Sequence, residues 1–168
     1  MSGGMANATR VNSGGRLDIF SCGTANSTTV NSGGDLYVSS GGTANTTTVN
    51  SDGSLSVHTC GTANATTVKG GYLYVYSGGT ANATTVNYSG RLSVSSGGTA
   101  NSTTVNYEGD LGIESGGTAN STTVNSGGVV NLGDTWYYGG TATQNIVNAG
   151  GSMCVYAGGR AATDMEKR

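Results

Sequence analysis

One phrase of about 19 residues returns along the chain and constrains the fold more than any other feature. In its most regular form it reads Thr-Ala-Asn-Ser-Thr-Thr-Val-Asn-Ser-Gly-Gly-x-Leu-x-Val-x-Ser-Gly-Gly. A repeat of this length is one small unit that stacks on its neighbours, which predicts a solenoid rather than a globule. The anchor valines, spaced by 19, 19, 19, 18, 19, 19 and 23 residues, are Val11, Val30, Val49, Val68, Val86, Val105, Val124 and Val147.

Each copy contains two short segments in which apolar and polar residues alternate. In the second copy they are Thr28-Thr29-Val30 and Leu36-Tyr37-Val38. Alternation with a period of 2 predicts strands, and the repeated Gly-Gly pairs among Ser, Thr and Asn exclude helices. We therefore predict an all-β, single-stranded parallel β-solenoid (β-helix) of about eight coils. Leu, Val, Ala and one Thr per coil are expected inside, and a two-sided or a three-sided cross-section remains open.

The solenoid is predicted to form one domain over residues 1–168, with eight repeats over approximately 6–159. The last spacing of 23 places four extra residues in the segment 133–138, which is expected to bulge from a corner. Residues 160–168 begin a ninth coil and end as a charged tail that is expected to cap the open end.

Two corners per copy carry a pair of residues whose second member is always glycine, whereas the first is also Asp, Ser, Glu or Cys. The asymmetry predicts either a positive φ or a close backbone approach at the second position. In the first corner these structural glycines are Gly15, Gly34, Gly53, Gly71, Gly90, Gly109, Gly128 and Gly151.

Asparagine recurs in two columns, and stacked amides can form hydrogen bonds from coil to coil. We interpret both columns as structural. The first contains Asn26, Asn45, Asn64, Asn82, Asn101 and Asn120, and the second contains Asn31, Asn50, Asn87, Asn106 and Asn125.

The unit Ser-Gly-Gly-Thr-Ala-Asn-Ser-Thr-Thr-Val-Asn-Ser-Gly-Gly resembles the passenger repeats of the autotransporter adhesins typified by the adhesin involved in diffuse adherence. The resemblance covers roughly residues 6–160. It implies export, passage through a C-terminal β-barrel and display at the cell surface as a long solenoid. It also implies roles in attachment, self-association and biofilm formation, with a host or bacterial surface glycan or protein as partner.

The same resemblance implies that a dedicated glycosyltransferase adds O-linked heptose to Ser and Thr. The sequence shows neither a signal peptide nor a barrel-like C-terminal segment. We therefore expect an extracellular, displayed part of a longer exported protein. The candidate glycan acceptors are Ser27, Thr29, Thr46, Thr48, Ser102 and Ser121.

Exposed aromatic residues are the candidate binding residues. Tyr88 and Tyr107 occupy the same phase in consecutive copies, and Trp136, Tyr137 and Tyr138 form a dense aromatic patch in the insertion. Such side chains can stack on sugars or anchor a protein partner. Tyrosine also stabilises β surfaces through cross-strand packing, so both interpretations remain open.

Composition excludes several other classes of function. The net charge of −2 with 10% charged residues leaves no basic stripe for nucleic acid. The absence of a run of 18 apolar residues argues against membrane insertion. His58 is the single histidine, so no catalytic triad can be assembled. The corners lack the Gly-Gly-x-Gly-x-Asp signature of calcium-binding solenoids, and we expect neither catalysis nor a cofactor.

Cys22, Cys60 and Cys154 are expected to be free thiols. Two alternatives to adhesion remain. Ice-binding solenoids carry ranks of Thr-x-Thr, which only Thr46 and Thr48 reproduce at both outward positions. The segment can also be a structural spacer that holds another domain away from the cell.

Overall fold

The computed structural model describes residues 3–133 and 139–162. All regular structure in these residues is β, and each coil contributes three short strands to three parallel sheets. Eight coils with a repeat of about 19 residues confirm the predicted solenoid. Its cross-section is three-sided, because the Thr-Ala-Asn segment forms a strand of its own.

The strands of each sheet follow in the order of the coils. The first sheet contains β1 Met5–Asn7, β4 Thr24–Asn26, β7 Thr43–Asn45, β10 Thr62–Asn64, β13 Thr80–Asn82, β16 Thr99–Asn101, β19 Thr118–Asn120, β22 Thr141–Thr143 and β25 Arg160–Ala162. The second contains β2 Arg10–Val11, β5 Thr29–Val30, β8 Thr48–Val49, β11 Thr67–Lys69, β14 Thr85–Asn87, β17 Thr104–Val105, β20 Thr123–Val124 and β23 Ile146–Val147. The third contains β3 Arg16–Ile19, β6 Asp35–Val38, β9 Ser54–Val57, β12 Tyr72–Val75, β15 Arg91–Val94, β18 Asp110–Ile113, β21 Val129–Leu132 and β24 Ser152–Val155.

Equivalent residues of successive coils lie directly over one another. Leu36 pairs with Leu55, for example, and Val38 pairs with Val57. Differences in repeat length fall in corners, where they leave the strand register intact. The coil with the short spacing loses one residue between Val68 and Leu73. The four extra residues of the long spacing lie between Leu132 and Thr141, in the corner where the bulge is predicted.

The core is a set of columns that run along the solenoid axis. Ala25, Val30 and Val38 are fully buried in the second coil, and Leu36 is 1% exposed. Each buried aliphatic side chain loses apolar surface at about 25 cal/mol per Å². The threonine that is expected inside is also buried in the six coils from the second to the seventh, but its hydroxyl has no hydrogen-bond partner. These residues are Thr28, Thr47, Thr66, Thr84, Thr103 and Thr122.

Each coil turns at three corners, one more than the glycine pairs indicate. The glycine corners are tight turns, such as the one in which the Gly34 N–H donates to the Asn31 carbonyl at 2.9 Å. The third corner joins the first sheet to the second sheet without glycine. A single residue in the left-handed region makes this turn, for example Ser27 with φ 55°. That conformation costs about 1–2 kcal/mol for a residue with a side chain, and the ladder bonds on both sides offset it.

Positive φ occurs at the first residue of the glycine corners, with Gly33 at 67°, Asp52 at 57° and Glu108 at 58°. It is absent from the second glycine, so one of the two reasons predicted for its invariance is wrong. The second glycine lies against the preceding coil, where a Cβ on Gly34 would stand 2.6 Å from the Val11 carbonyl oxygen. At the first position, the nearest atom to an added Cβ is usually a flexible side chain of the preceding coil, such as Ser13 Oγ at 3.0 Å from Gly33, which can move aside.

Both asparagine columns form hydrogen-bonded ladders. In the first, the Asn101 amide donates to Asn82 and accepts from Asn120, both at 2.9 Å. In the second, the Asn50 amide donates to Asn31 at 3.0 Å. Lys69 pairs with Asn87 in the register of the second column and interrupts it at the shortened corner. The ladders tie neighbouring coils together and support the structural interpretation of these amides.

The outer coils are open at both ends of the described region. Met5 is 70% exposed and Val155 is 50% exposed, whereas the equivalent Thr24 is half-buried and the equivalent Val38 is fully buried. The ninth coil begins with β25, as expected. The predicted cap in the tail lies beyond Ala162, outside the described residues.

Candidate binding surfaces

The two candidate tyrosines lie at the corner between the second and third sheets. Tyr88 is 66% exposed and Tyr107 is 60% exposed. The ring of Tyr107 lies over the next coil, since a Cβ on Gly127 would stand 2.5 Å from its Cδ2. This contact gives Tyr107 a packing role beside its exposure. The other candidates, Trp136, Tyr137 and Tyr138, lie outside the described residues.

The candidate glycan acceptors fall into two columns. Ser27, Thr46, Ser102 and Ser121 are exposed at the left-handed third corner, one per coil. Thr29 and Thr48 are half-buried on the second sheet, on the other side of that corner. The arrangement also bears on ice binding, because Thr46 belongs to a corner and Thr48 belongs to a strand. The two do not form a rank on one flat sheet.

Aromatic residues that are not among the sequence candidates meet on the third sheet. His58 lies between two tyrosine rings of neighbouring coils, with centroids 4.5 Å from Tyr37 and 4.4 Å from Tyr76. Tyr72, Tyr74 and Tyr76 form a row across β12 and its following residue, with centroids 6.0 Å apart. We call these three residues the tyrosine row. The alternation Tyr-Leu-Tyr-Val-Tyr was the signal in the sequence, because it places all three rings outward.

Burial changes the acidity of two members of this group. Desolvation lowers the pKa of His58, since a charged imidazolium loses water between the two rings. Desolvation also raises the pKa of Tyr76, and the nearby charges of Tyr74 and Glu114 add to this effect. Glu114 therefore acts on the tyrosine row although it lies two strands away, on the residue after β18.

An open cleft of about 270 Å³ lies beside the tyrosine row on the third sheet. It crosses β15, β18 and β21, reaches Tyr156 just after β24, and exists because Gly112 has no side chain in the outward column. Ser93, the preceding residue of that column, is 7% exposed, so its side chain hardly projects from the sheet. We call this feature the third-sheet cleft; its main lining residues are Arg91, Ser93, Asp110, Glu114, Asn131 and Tyr156.

Hydrogen bonds and an ion pair hold the polar side chains of the third-sheet cleft in place. Arg91 Nη1 lies 3.4 Å from Asp110 Oδ2. The Asn131 amide donates to Asp110 Oδ1 at 3.1 Å. On the other side, the Ser93 hydroxyl donates to Glu114 Oε1 at 3.1 Å. The cleft therefore presents two fixed carboxylates, a guanidinium and an amide to solvent.

Other chemistry is sparse in the described part of the chain. Cys22, Cys60 and Cys154 are free thiols, as predicted. No group of three or more His, Cys, Asp or Glu side chains within residues 3–133 and 139–162 is placed to hold a metal ion. No described helix has the length and apolar character needed to cross a bilayer.

Comparison with known proteins agrees with this architecture. The family described as "Adhesin of bacterial autotransporter system, probable stalk" matches residues 1–53, 23–71 and 74–128. The fold is similar to the crystal structure of a TibC-catalyzed hyper-glycosylated TibA55-350 fragment. That similarity has a TM-score of 0.66 at 34% identity and covers 96% of this chain and 71% of the other. Among curated protein sequences, none matches significantly.

Three parallel sheets in which equivalent residues stack coil over coil define a solenoid repeat protein. The chain belongs to the family of autotransporter adhesins described as the probable stalk. It is thus an autotransporter adhesin repeat, and its family implies an exported passenger at the cell surface. Stalks of this fold are typically without catalytic activity.

Proposed function

We propose that this segment is an adhesive, non-catalytic stretch of a displayed passenger that takes part in attachment, self-association or biofilm formation. The observation that carries the proposal is the third sheet, which presents the tyrosine row and the third-sheet cleft side by side. Aromatic rings next to fixed polar groups are typical of surfaces that bind sugars or proteins. A purely structural spacer has no need for such a concentration on one of three faces.

The adhesive proposal predicts that beads coated with the folded chain adhere to cultured epithelial cells or to one another. We expect adherence or aggregation several-fold above that of beads coated with heat-unfolded chain, counted by microscopy. The unfolded coating has the same composition, so it controls for nonspecific charge and hydroxyl content. If beads coated with the folded chain neither adhere nor aggregate, the segment is better explained as a structural spacer.

We further propose that the exposed Ser and Thr columns are O-glycosylated. Support comes from the regular presentation of Ser27, Thr46, Ser102 and Ser121 at the third corner, together with the hyper-glycosylated state of the similar TibA fragment. A glycosyltransferase can reach a hydroxyl at an exposed corner without unfolding a coil. The same enzyme cannot reach the adjacent threonine of each coil, which is 0–1% exposed.

Co-expression with TibC is expected to raise the intact mass of the chain by multiples of one sugar. Peptide mapping should place the sugar on Thr46 or Thr48 and leave Thr47 unmodified, because its hydroxyl is buried between them. This triplet provides an internal control within a single peptide. An unchanged intact mass, or sugar on Thr47, would contradict the proposal.

A further inference from the structure

We propose that the third-sheet cleft is a binding site for a neutral or amino-sugar oligosaccharide. This inference deepens the adhesive function and rests on it, since it assigns a site and a ligand class to that surface. The cleft extends over four successive coils, which corresponds to about 14 Å along the solenoid at about 4.8 Å per coil. This length accommodates a short oligosaccharide that runs parallel to the axis.

The lining groups match the hydrogen-bonding pattern of sugar hydroxyls. Carboxylate, amide and guanidinium groups are planar and offer two neighbouring atoms each, so they can engage adjacent hydroxyls of one ring. In the third-sheet cleft these groups are Asp110, Glu114, Asn131 and Arg91. Their mutual bonds, such as Asn131 to Asp110 at 3.1 Å, fix them before a ligand arrives. Fixed polar groups reduce the entropy lost on binding.

Aromatic groups flank the third-sheet cleft on both sides along the axis. Tyr156 lines its far end and is 39% exposed. At the near end, β12 carries the tyrosine row and pairs directly with β15, the first strand of the cleft. Tyrosine combines an apolar ring face with a polar hydroxyl, which suits the mixed surface of a pyranose.

Charge and shape favour a sugar over a peptide and over an acidic polysaccharide. The charged lining consists of Arg91, Asp110 and Glu114, which leaves one net negative charge. This charge repels carboxylated or sulfated chains and tolerates neutral or amino sugars. A protein partner usually needs a deep apolar pocket for an anchor side chain. The floor here is formed by Gly112 and the nearly buried Ser93, which provides no such pocket.

Gly112 offers a way to block the cleft without disturbing the fold. A Cβ added there meets only Arg91 Nη2 at 3.7 Å, which is ordinary contact. The same outward column already holds Tyr37 and Tyr74 in other coils. Gly112→Tyr is therefore expected to fold normally and to fill the cleft.

The test measures binding of the purified chain to an array of defined neutral, amino and acidic oligosaccharides. We expect the natural chain to bind neutral or amino oligosaccharides more strongly than acidic ones. Gly112→Tyr and Glu114→Gln should each reduce that signal at least tenfold. Glu108→Gln is the matched control, because it makes the same change on an exposed glutamate of the same coil, outside the cleft. It should retain binding within twofold, and thermal unfolding should show that all variants fold.

The bead assay separates failure of the site from failure of the proposed function. Beads that adhere while the array shows no binding would overturn the oligosaccharide site and leave the adhesive function standing. If Gly112→Tyr abolishes bead adhesion while the natural chain gives no array signal, the ligand of the cleft is a protein. That result would also overturn the oligosaccharide site. Array binding that survives Gly112→Tyr would place the sugar elsewhere. Array binding by a chain whose beads never adhere would support the site and contradict the adhesive function.

Discussion

Replacing Gly109 with valine is expected to lower the free energy of unfolding by about 3 kcal/mol or more. A Cβ on Gly109 would stand 2.5 Å from the Val86 carbonyl oxygen and 3.0 Å from the Asn106 carbonyl oxygen. Both atoms are backbone: relief from the Val86 oxygen requires two coils to move apart and their ladder to weaken, and relief from the Asn106 oxygen requires the turn itself to distort. For a chain of this length the thermal midpoint should fall by roughly 6–12 °C, measured by circular dichroism.

Glu108, the residue before Gly109, provides the matched control in the same corner. Glu108 adopts a left-handed conformation with φ 58°, which glycine accepts without strain. Glu108→Gly should therefore leave the midpoint unchanged or raise it slightly, even though it removes a whole side chain. Equal losses at positions 108 and 109 would show that backbone approach between coils does not explain the invariant glycine.

The sequence was sufficient to predict the solenoid because every coil repeats the same apolar positions. Once Val30, Leu36 and Val38 are assigned to the inside, stacking of identical coils determines the neighbours of each residue. The amide ladders follow from the same rule, since equal phase means vertical contact. The repeat thus determines the contacts between coils as well as the fold of one coil.

The third strand was harder to predict, because its corner lacks the usual signals. Thr24–Asn26 is only three residues long, and the turn after this strand uses a serine, alanine, threonine or glutamine with positive φ. Single-residue corners without glycine or proline give no composition signal. The inward alanine is expected from the repeat, but one buried residue between two polar ones does not by itself distinguish a separate strand from a loop.

The binding surfaces depend on differences between coils, which a repeat consensus conceals. The third-sheet cleft needs the missing side chain at Gly112 and the short Ser93 in the coil before it, with longer side chains such as Arg91 and Tyr156 around them. Glu114 bonds to Ser93 across one coil and two positions along the strand. Such diagonal contacts depend on rotamers, and the phase of the repeat alone does not specify them. Positions that depart from the repeat therefore identify functional candidates better than positions that obey it.

The buried threonines lead to the second large prediction, which is a gain in stability where the glycine replacement gives a loss. Replacing Thr47, Thr84 and Thr122 with valine is expected to stabilise the chain by about 3 kcal/mol, at about 1 kcal/mol per site. Each of these threonines is 0–1% exposed and its hydroxyl lacks a hydrogen-bond partner. Folding therefore removes the hydroxyl's hydrogen bonds to water and provides no others in their place. The three sites lie two coils apart, at about 10 Å, and their effects should add.

The control places the same substitution on the adjacent outward threonines Thr48, Thr85 and Thr123, which are half-buried on the second sheet. Their hydroxyls remain in contact with water, so the triple change to valine should alter stability by much less. Urea unfolding of both triple variants measures the difference. A loss of stability in the buried set would mean that these hydroxyls bond within the solenoid. In the expected case, cohesion of the core comes from the aliphatic columns and the ladders, and the inner threonine contributes its shape alone.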